Sequence, residues 1–368
     1  MSNEERALSA VASRLCAAQR PVILVGPEGA PAARAIVEMA ERLGAPILTT
    51  PDAKSAIDHR HSYGTFSFGA SASARALVEQ ADLILAISAL GEFSCRLGEA
   101  FRTQCLIQIT ERASDVGRSV QPHLSLVGPA LVDTVFSLQR AVALLLPAPA
   151  RRWCEGLKVA RPSPAIFATK PGLIHPVAAI AAIQAALPEA ARVCLDVTSG
   201  ALHAYEHLKV TQQQRTFSSV ENSACMGEAL LASLGIRLAS NLPTLALVGD
   251  WGYSMCPAEI HTAVELGLDR YVVLLWANGG GAFIGAGVAQ QGINVPDPVW
   301  RWRAPPQFAQ VAEAYGARGV TVSDAATLHS ELSRALGEAR PVLIEARIDP
   351  TAHVPAGDRF LTLGEARA

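Results

Sequence analysis

Several familiar chemistries are missing from this chain, and each absence narrows what it can be. No stretch of eighteen apolar residues occurs, although half of the chain is hydrophobic; a membrane-spanning helix is not expected, while a large buried core is. Lysines and arginines are scattered without a basic stripe and the formal net charge is −2, so neither nucleic acid nor an anionic membrane is the expected partner. The opening MSNEERALSA is polar and acidic and lacks the charged-then-apolar order of a signal peptide, which makes a cytoplasmic address the expectation. The seven cysteines, Cys16, Cys95, Cys105, Cys154, Cys194, Cys225 and Cys256, are odd in number and show no CxxC spacing. Buried free thiols are expected in place of disulfides or zinc ligands. No GxSxG elbow and no Walker loop is present. Gly26-Pro27-Glu28-Gly29 lacks the full GxGxxG and reads as a structural turn. Gly279 to Gly287 follows a strand without opening an obvious helix, a poor fit to a dinucleotide fingerprint. His203 and His207 lack the HExxH order and the further ligands zinc needs, and are expected as a solvated or capping pair.

What is present is an alternation of short apolar runs with amphipathic helices. Residues 7 to 19 have helical periodicity; Pro21 to Gly26 is a buried strand, followed by a turn and a helix over Ala32 to Leu43. A strand over Pro46 to Thr50, a helix over Ser73 to Gln80, and strands over Leu83 to Ser88 and Cys105 to Ile109 continue the pattern. Such continuous apolar strands separated by helices build a parallel sheet covered on both faces. From Leu144 to Lys170 four prolines interrupt any regular element, and a solvated linker is expected there. A second alternation begins with a helix over Pro176 to Ala186 and a strand over Val193 to Leu195, and a helix over Ala229 to Leu238 follows. The chain closes with helix Phe308 to Tyr315, strand Val320 to Val322, helix Ala325 to Leu336, strand Pro341 to Glu345 and a peripheral tail through Val354-Pro355 to Ala368.

The chemistry concentrates in LALVGDWGYSMCPAEIHTAVELGLDRYVVLLWANGGGAFIG, Leu245 to Gly285. Leu245 to Val248 is a buried strand that delivers Gly249-Asp250 to its carboxyl end, where open α/β sheets place ligands. Pro257 can open the next helix, and Tyr271 to Leu275 is a second strand emptying into Ala277-Asn278-Gly279-Gly280-Gly281. A βαβ unit sets two such strand ends side by side. Asp250 and the amide oxygen of Asn278 can then share one hard cation with a loop carbonyl and phosphate oxygens. Thr198 and Ser199, past one strand and before a helix, are equally suited to bind a diphosphate or to cap that helix.

These residues resemble the signature of the thiamine-diphosphate-dependent superfamily that includes pyruvate decarboxylase, acetolactate synthase and benzoylformate decarboxylase, which begins Gly-Asp-Gly and ends in Asn-Asn. Here Trp251 replaces the third-position glycine between Asp250 and Gly252, and Trp276-Ala277-Asn278 replaces the asparagine pair. Asn278 lies 28 positions after Asp250, one more than the resemblance leads one to expect. AAQRPVILVGPEGA, LGAPILTTPDAKSAIDHRHSYGTF and ADLILAIS are similar to the family's central domain, which in some members binds FAD or an adenine nucleotide. Asn222-Ser223-Ala224-Cys225-Met226-Gly227 is similar to its Gly-x-Met-Gly motif.

The resemblance implies an α/β fold with two doubly wound parallel-sheet domains: a central Rossmann-like domain over 1–147, a linker over 148–172 and a diphosphate-binding domain over 173–368. It implies thiamine diphosphate and Mg²⁺ as cofactors, with Asp250, Asn278 and the Gly280 carbonyl as cation ligands and Thr198, Ser199, Gly249, Trp251 and Gly252 lining the cofactor. Met226 would wedge beneath the thiazolium and the Ala224 backbone would meet the aminopyrimidine; as residues alone, a methionine filling core space is equally in keeping. Trp300, Arg301, Trp302 and Arg303 would either meet a 2-oxo acid carboxylate or tuck against a partner subunit. Full-length members begin with a further domain carrying the glutamate that protonates the pyrimidine. The expectation is a split 2-oxo acid decarboxylase or carboligase, in which a separate pyrimidine-domain subunit completes the site within a heterotetramer. The alternative is a degenerate, non-catalytic regulatory or scaffolding subunit of such a complex.

Overall fold

The computed structural model describes residues 3–67, 71–88, 90–91, 101, 104–128, 130–155, 170–218, 220–221, 224–293 and 300–355. The chain divides into two compact units, Met1–Arg161 and Pro162–Ala368. Cys95, Asn222, Ser223, Pro296, Pro298, most of the proline-rich stretch and the tail beyond Pro355 lie outside the described residues. No described helix is long and apolar enough to cross a membrane.

The first unit holds strands β1 (Pro21–Val25), β2 (Ile47–Thr49), β3 (Ser62–Thr65), β4 (Leu83–Ile87), β5 (Cys105–Thr110) and β6 (Leu124–Val127), and helices α1 (Asn3–Ala17), α2 (Ala33–Leu43), α3 (Ala72–Gln80) and α4 (Leu131–Leu145). The sheet order is β3-β2-β1-β4-β5-β6 with every pairing parallel. The apolar runs explain the layering, because alternate residues of one strand serve opposite faces. Ile23 and Val25 join Leu15, Ile36, Met39 and Leu138 in one core. Val22 and Leu24 join Leu77, Val78 and Ile84 in the other. Strands β3 and β6 were not legible from apolar runs: SYGT and LSLV are short, half-polar edge strands.

The second unit holds α5 (Pro176–Ala186), β7 (Ala191–Leu195), α6 (Ser199–His207), β8 (Gln214–Ser218), α7 (Glu228–Ser240), β9 (Thr244–Gly249), α8 (Asp250–Met255), α9 (Glu259–Glu265), β10 (Tyr271–Ala277), α10 (Ala282–Gln290), α11 (Phe308–Ala314), β11 (Arg318–Val322), α12 (Ala325–Ala335) and β12 (Val342–Arg347). Its parallel sheet runs β11-β12-β10-β9-β7-β8. Ala246, Val248, Val273, Leu275 and Leu343 face Leu230, Ile260 and Phe308 of α7, α9 and α11. The opposite face meets α6, where the Trp276 ring lies against Gly200 and His203. Both units are therefore doubly wound α/β.

Three local expectations are corrected. Gly279 to Gly287 does lead into a helix, α10, because only its first glycines take positive φ, +87° at Gly279 and +122° at Gly280. Pro257 stands in the turn just before the helix of Ile260 and Ala263, α9, whose N-cap is Ala258, and between β9 and that turn the chain forms a short helix, α8, that was not expected. His203 is not solvated: it is 3 % exposed, stacked between Trp276 and His207, and its burial pushes the imidazole down to about 3, so it stays neutral.

Candidate functional site

The strand order of the second unit reverses between β7 and β9. β8 lies on the far side of β7, whereas β9, β10 and β12 extend the other way. In open α/β sheets such a switch point leaves a crevice at the carboxyl ends of the strands. The loops after β7, β9 and β10, together with the turn before α7, supply every cofactor-binding and cation-binding residue expected from the sequence.

Asp250 is the hub. It follows a wholly buried strand and is itself 2 % exposed. Its Oδ2 accepts N–H bonds from Gly279 at 3.0 Å and Gly280 at 2.8 Å, and Oδ1 accepts one from Trp251 at 2.9 Å. The β9 and β10 loops are thus tied together through one carboxylate. Burial pushes this carboxyl up to about 6, against the opposing pull of those N–H donors. The indole N–H of Trp302 lies near the same carboxylate and favours its ionised form without closing to a hydrogen bond.

Asn278 turns its Nδ2 to the Ser199 hydroxyl at 3.0 Å. That orientation leaves the amide oxygen as the free end of the side chain. Ser199 opens α6, and the N-cap Thr198 is extended and makes no side-chain cap bond, so its hydroxyl is not spent on the helix. Thr198 instead packs close to Gly249, where an added Cβ would come within 3.0 Å of Oγ1.

The Met226 turn is fixed to the same cluster by Asp196, which the sequence reading passed over. Asp196 closes β7 as Asp250 closes β9, a carboxylate after an apolar run, and that repetition was the available signal. Its oxygens accept the N–H of Gly227 at 2.9 and 3.0 Å and of Ala229 at 3.3 Å. An added Cβ on Gly252 would stand 2.4 Å from Asp196 Oδ2, so Gly252 serves close packing between loops. Ala224 has φ +50° and Gly227 φ +88°, which turns the chain sharply on both sides of the half-buried Met226.

Trp251 does not lie across the β9 turn. Its indole covers the β10 loop, where an added Cβ on Gly281 would be 2.7 Å away and one on Gly280 3.2 Å away. Residues 300–302 lie over that loop too. Gly281 donates to the Trp300 carbonyl at 2.7 Å, Trp302 donates to the Gly279 carbonyl at 3.0 Å, and Trp302 meets Trp251 edge to face. Arg301 stacks on Trp300, its guanidinium 4.4 Å from the ring centre. Among the cysteines, Cys154 and Cys194 are buried as expected, whereas Cys225 is exposed. Burial pushes the Cys256 thiol up to about 11, so it is not a ready nucleophile.

Two family models match the chain: the thiamine pyrophosphate enzyme central domain over residues 8–135, and the thiamine pyrophosphate enzyme C-terminal TPP-binding domain over residues 196–346. The second spans all the loops just described. The chain belongs to the thiamine-pyrophosphate-dependent enzyme superfamily. Among its relatives in this superfamily, a protein described as a probable 2-ketoarginine decarboxylase of Pseudomonas aeruginosa is 28 % identical over 93 % of this chain and 60 % of its own length. The acetolactate synthase large subunit of Parasynechococcus marenigrum is 26 % identical over 94 % of this chain and 56 % of its own. The thiamine diphosphate-dependent 4-hydroxybenzoylformate decarboxylase of Rhodococcus jostii shares the fold with a TM-score of 0.77 at 23 % identity, over 95 % of this chain and 64 % of its own. The chain spans less than two thirds of the length of each.

The superfamily's cofactor can be set against these side chains. Asp250, the amide oxygen of Asn278 and the loop carbonyls form an all-oxygen donor set, which suits a hard divalent cation. Asp250 retains lone pairs beyond its three N–H bonds, because a carboxylate offers about four acceptor positions. The Thr198 and Ser199 hydroxyls, with the first N–H groups of α6, suit a diphosphate. The residues present fit both groups.

Proposed function

We propose that this chain supplies the Mg²⁺- and diphosphate-binding half of a thiamine-diphosphate-dependent decarboxylase or carboligase acting on a 2-oxo acid. The observation that carries this reading is the meeting of Asp250 with the 278–280 loop beside Ser199 at a sheet switch point. Asp250, Asn278 and the Gly280 carbonyl would hold the cation. Thr198 and Ser199 would bind the diphosphate, with Gly249, Trp251 and Gly252 forming the adjoining wall. Met226, on a turn held by Asp196, would support the thiazolium, and the Ala224 backbone would meet the aminopyrimidine. When bound, thiamine diphosphate supplies the electron sink that lets the bond beside the 2-oxo group break. The protein's share is to orient that cofactor and to place fixed charge around it.

The glutamate that activates the pyrimidine would come from a separate pyrimidine-domain subunit, two of each subunit making a heterotetramer. A second reading has one observation in its favour: Trp251 and Trp302 already pack over the glycine loop and Asp250 already serves three N–H groups, as a non-catalytic scaffolding subunit would require. Calorimetry with thiamine diphosphate and Mg²⁺, on this chain alone and co-expressed with a candidate pyrimidine-domain subunit, separates the two. The catalytic reading expects binding that Asp250→Ala abolishes. No binding in either preparation would leave the scaffolding reading.

A further inference from the structure

A cavity of about 590 Å³ lies at the carboxyl ends of β10 and β12 beside α11, within the range of small-molecule sites. Asp250 and Asn278 line it from the β9 and β10 loops, and Leu173, Phe308 and Ile348 supply apolar surface. Its charged groups are unequally committed. Asp250 takes three backbone N–H bonds, and Glu345 Oε2 accepts the Ala309 N–H at 3.1 Å in the first turn of α11, with the Thr321 hydroxyl at 3.5 Å. Arg347, the last residue of β12, is exposed, and its guanidinium has no hydrogen-bond or ion-pair partner among the described residues. Glu345, two positions earlier on the same face of the strand, does not pair with it.

A guanidinium carries five donors in a planar fork and matches a carboxylate bidentately. We propose that this cavity binds a small monocarboxylate with an apolar body, its carboxylate on Arg347. Charge sets the limit of one anionic group: Arg347 is the one cationic side chain among the described lining residues and can neutralise one carboxylate, while in the absence of added cation a second anionic group, or a phosphate dianion, would face Asp250 and Glu345 without compensation. The apolar wall beside Arg347 receives the remainder of the molecule. Such a ligand is either a substrate of the proposed reaction or an effector independent of it, and the site itself does not depend on the cofactor reading.

Calorimetry of the full chain with benzoate, 3-methylbutanoate, glutarate and inorganic phosphate, each with and without thiamine diphosphate and Mg²⁺, tests this. Benzoate or 3-methylbutanoate should bind, Arg347→Gln should weaken that binding about tenfold or more, and Arg347→Lys should recover part of it. Binding that requires the cofactor identifies the substrate class; equal binding without it identifies an effector. Unchanged affinity in Arg347→Gln, preference for phosphate or glutarate, or no binding of either monocarboxylate overturns the proposal. Equal urea midpoints for wild type and both variants exclude misfolding as the cause. Retained benzoate binding without thiamine diphosphate binding would count against the proposed function alone.

Discussion

Asp250→Asn should make the second unit more stable at neutral pH while weakening the proposed cation site. The folded protein holds the Asp250 carboxyl at about 6, against 3.8 for the unperturbed group. Between about pH 4 and pH 6 the folded state therefore keeps a proton that the unfolded state has released. The group's contribution to stability is complete below pH 4 and is lost as pH rises through 6, a loss on the order of 3 kcal/mol by pH 7.5. Asparagine cannot ionise and keeps one carbonyl oxygen for the Gly279 and Gly280 N–H groups, but its amide nitrogen cannot accept the Trp251 N–H that Oδ1 accepts, so the variant should start about 1 kcal/mol less stable than the protonated acid. The expected difference is about 1 kcal/mol against the variant at pH 4 and about 2 kcal/mol in its favour at pH 7.5. Urea titrations from pH 4 to 7.5, with EDTA and without thiamine diphosphate, measure it. Four of the five tryptophans lie in the second unit, so fluorescence reports that unit. Subtracting the two profiles cancels other buried carboxyls such as Asp196, also raised by burial. A difference that does not change with pH, or a variant less stable at pH 7.5, would refute the reasoning.

Gly252→Ala should cost about 1–3 kcal/mol, because its Cβ would stand 2.4 Å from Asp196 Oδ2; the shifted Asp196 should also loosen the Met226 turn, visible as weaker thiamine diphosphate binding in calorimetry. Gly44→Ala should lower the melting temperature of the first unit through a loss of about 2 kcal/mol or more, since Gly44 closes α2 at φ +63° with the Arg151 carbonyl 2.6 Å from the added Cβ. Ser233→Ala should cost about 1–3 kcal/mol in a urea titration, because Ser233 Oγ bonds the fully buried Tyr271 hydroxyl at 2.7 Å and the Leu230 carbonyl at 2.6 Å. Adding Tyr271→Phe to that variant should recover part of the loss by removing the stranded hydroxyl.

Much of the site was legible because local chemistry writes it into short stretches. An apolar run ending in Gly249-Asp250, a second ending in Ala277-Asn278, and hydroxyls opening a helix at Thr198-Ser199 each signal a strand end bearing oxygen ligands. The convergence of Asp250 and Asn278 followed from the parallel βαβ rule, whereas Thr198-Ser199 joins them because the strand order sets β7 beside β9. Asp196, Trp302 and Arg347 were less visible. An aspartate after a strand has many fates, and only the contact with Gly227 and Gly252 makes Asp196 the anchor of the Met226 turn. Trp302 joins the site through backbone pairing across more than twenty intervening residues, which no local pattern encodes.

By itself the sequence determined the layers: continuous apolar strands demand cover on both faces, and the alternation with helices makes the sheets parallel. It also determined which oxygens stand at the strand ends, since strand length and the following glycine fix where the chain turns. The tertiary structure alone decided what those groups do. It placed the Trp251 indole on the β10 loop and engaged Asp250 with three N–H groups, while leaving the Arg347 guanidinium without a partner among the described residues. Charge state and availability depend on every element packed around a side chain, and those neighbours are distant in sequence.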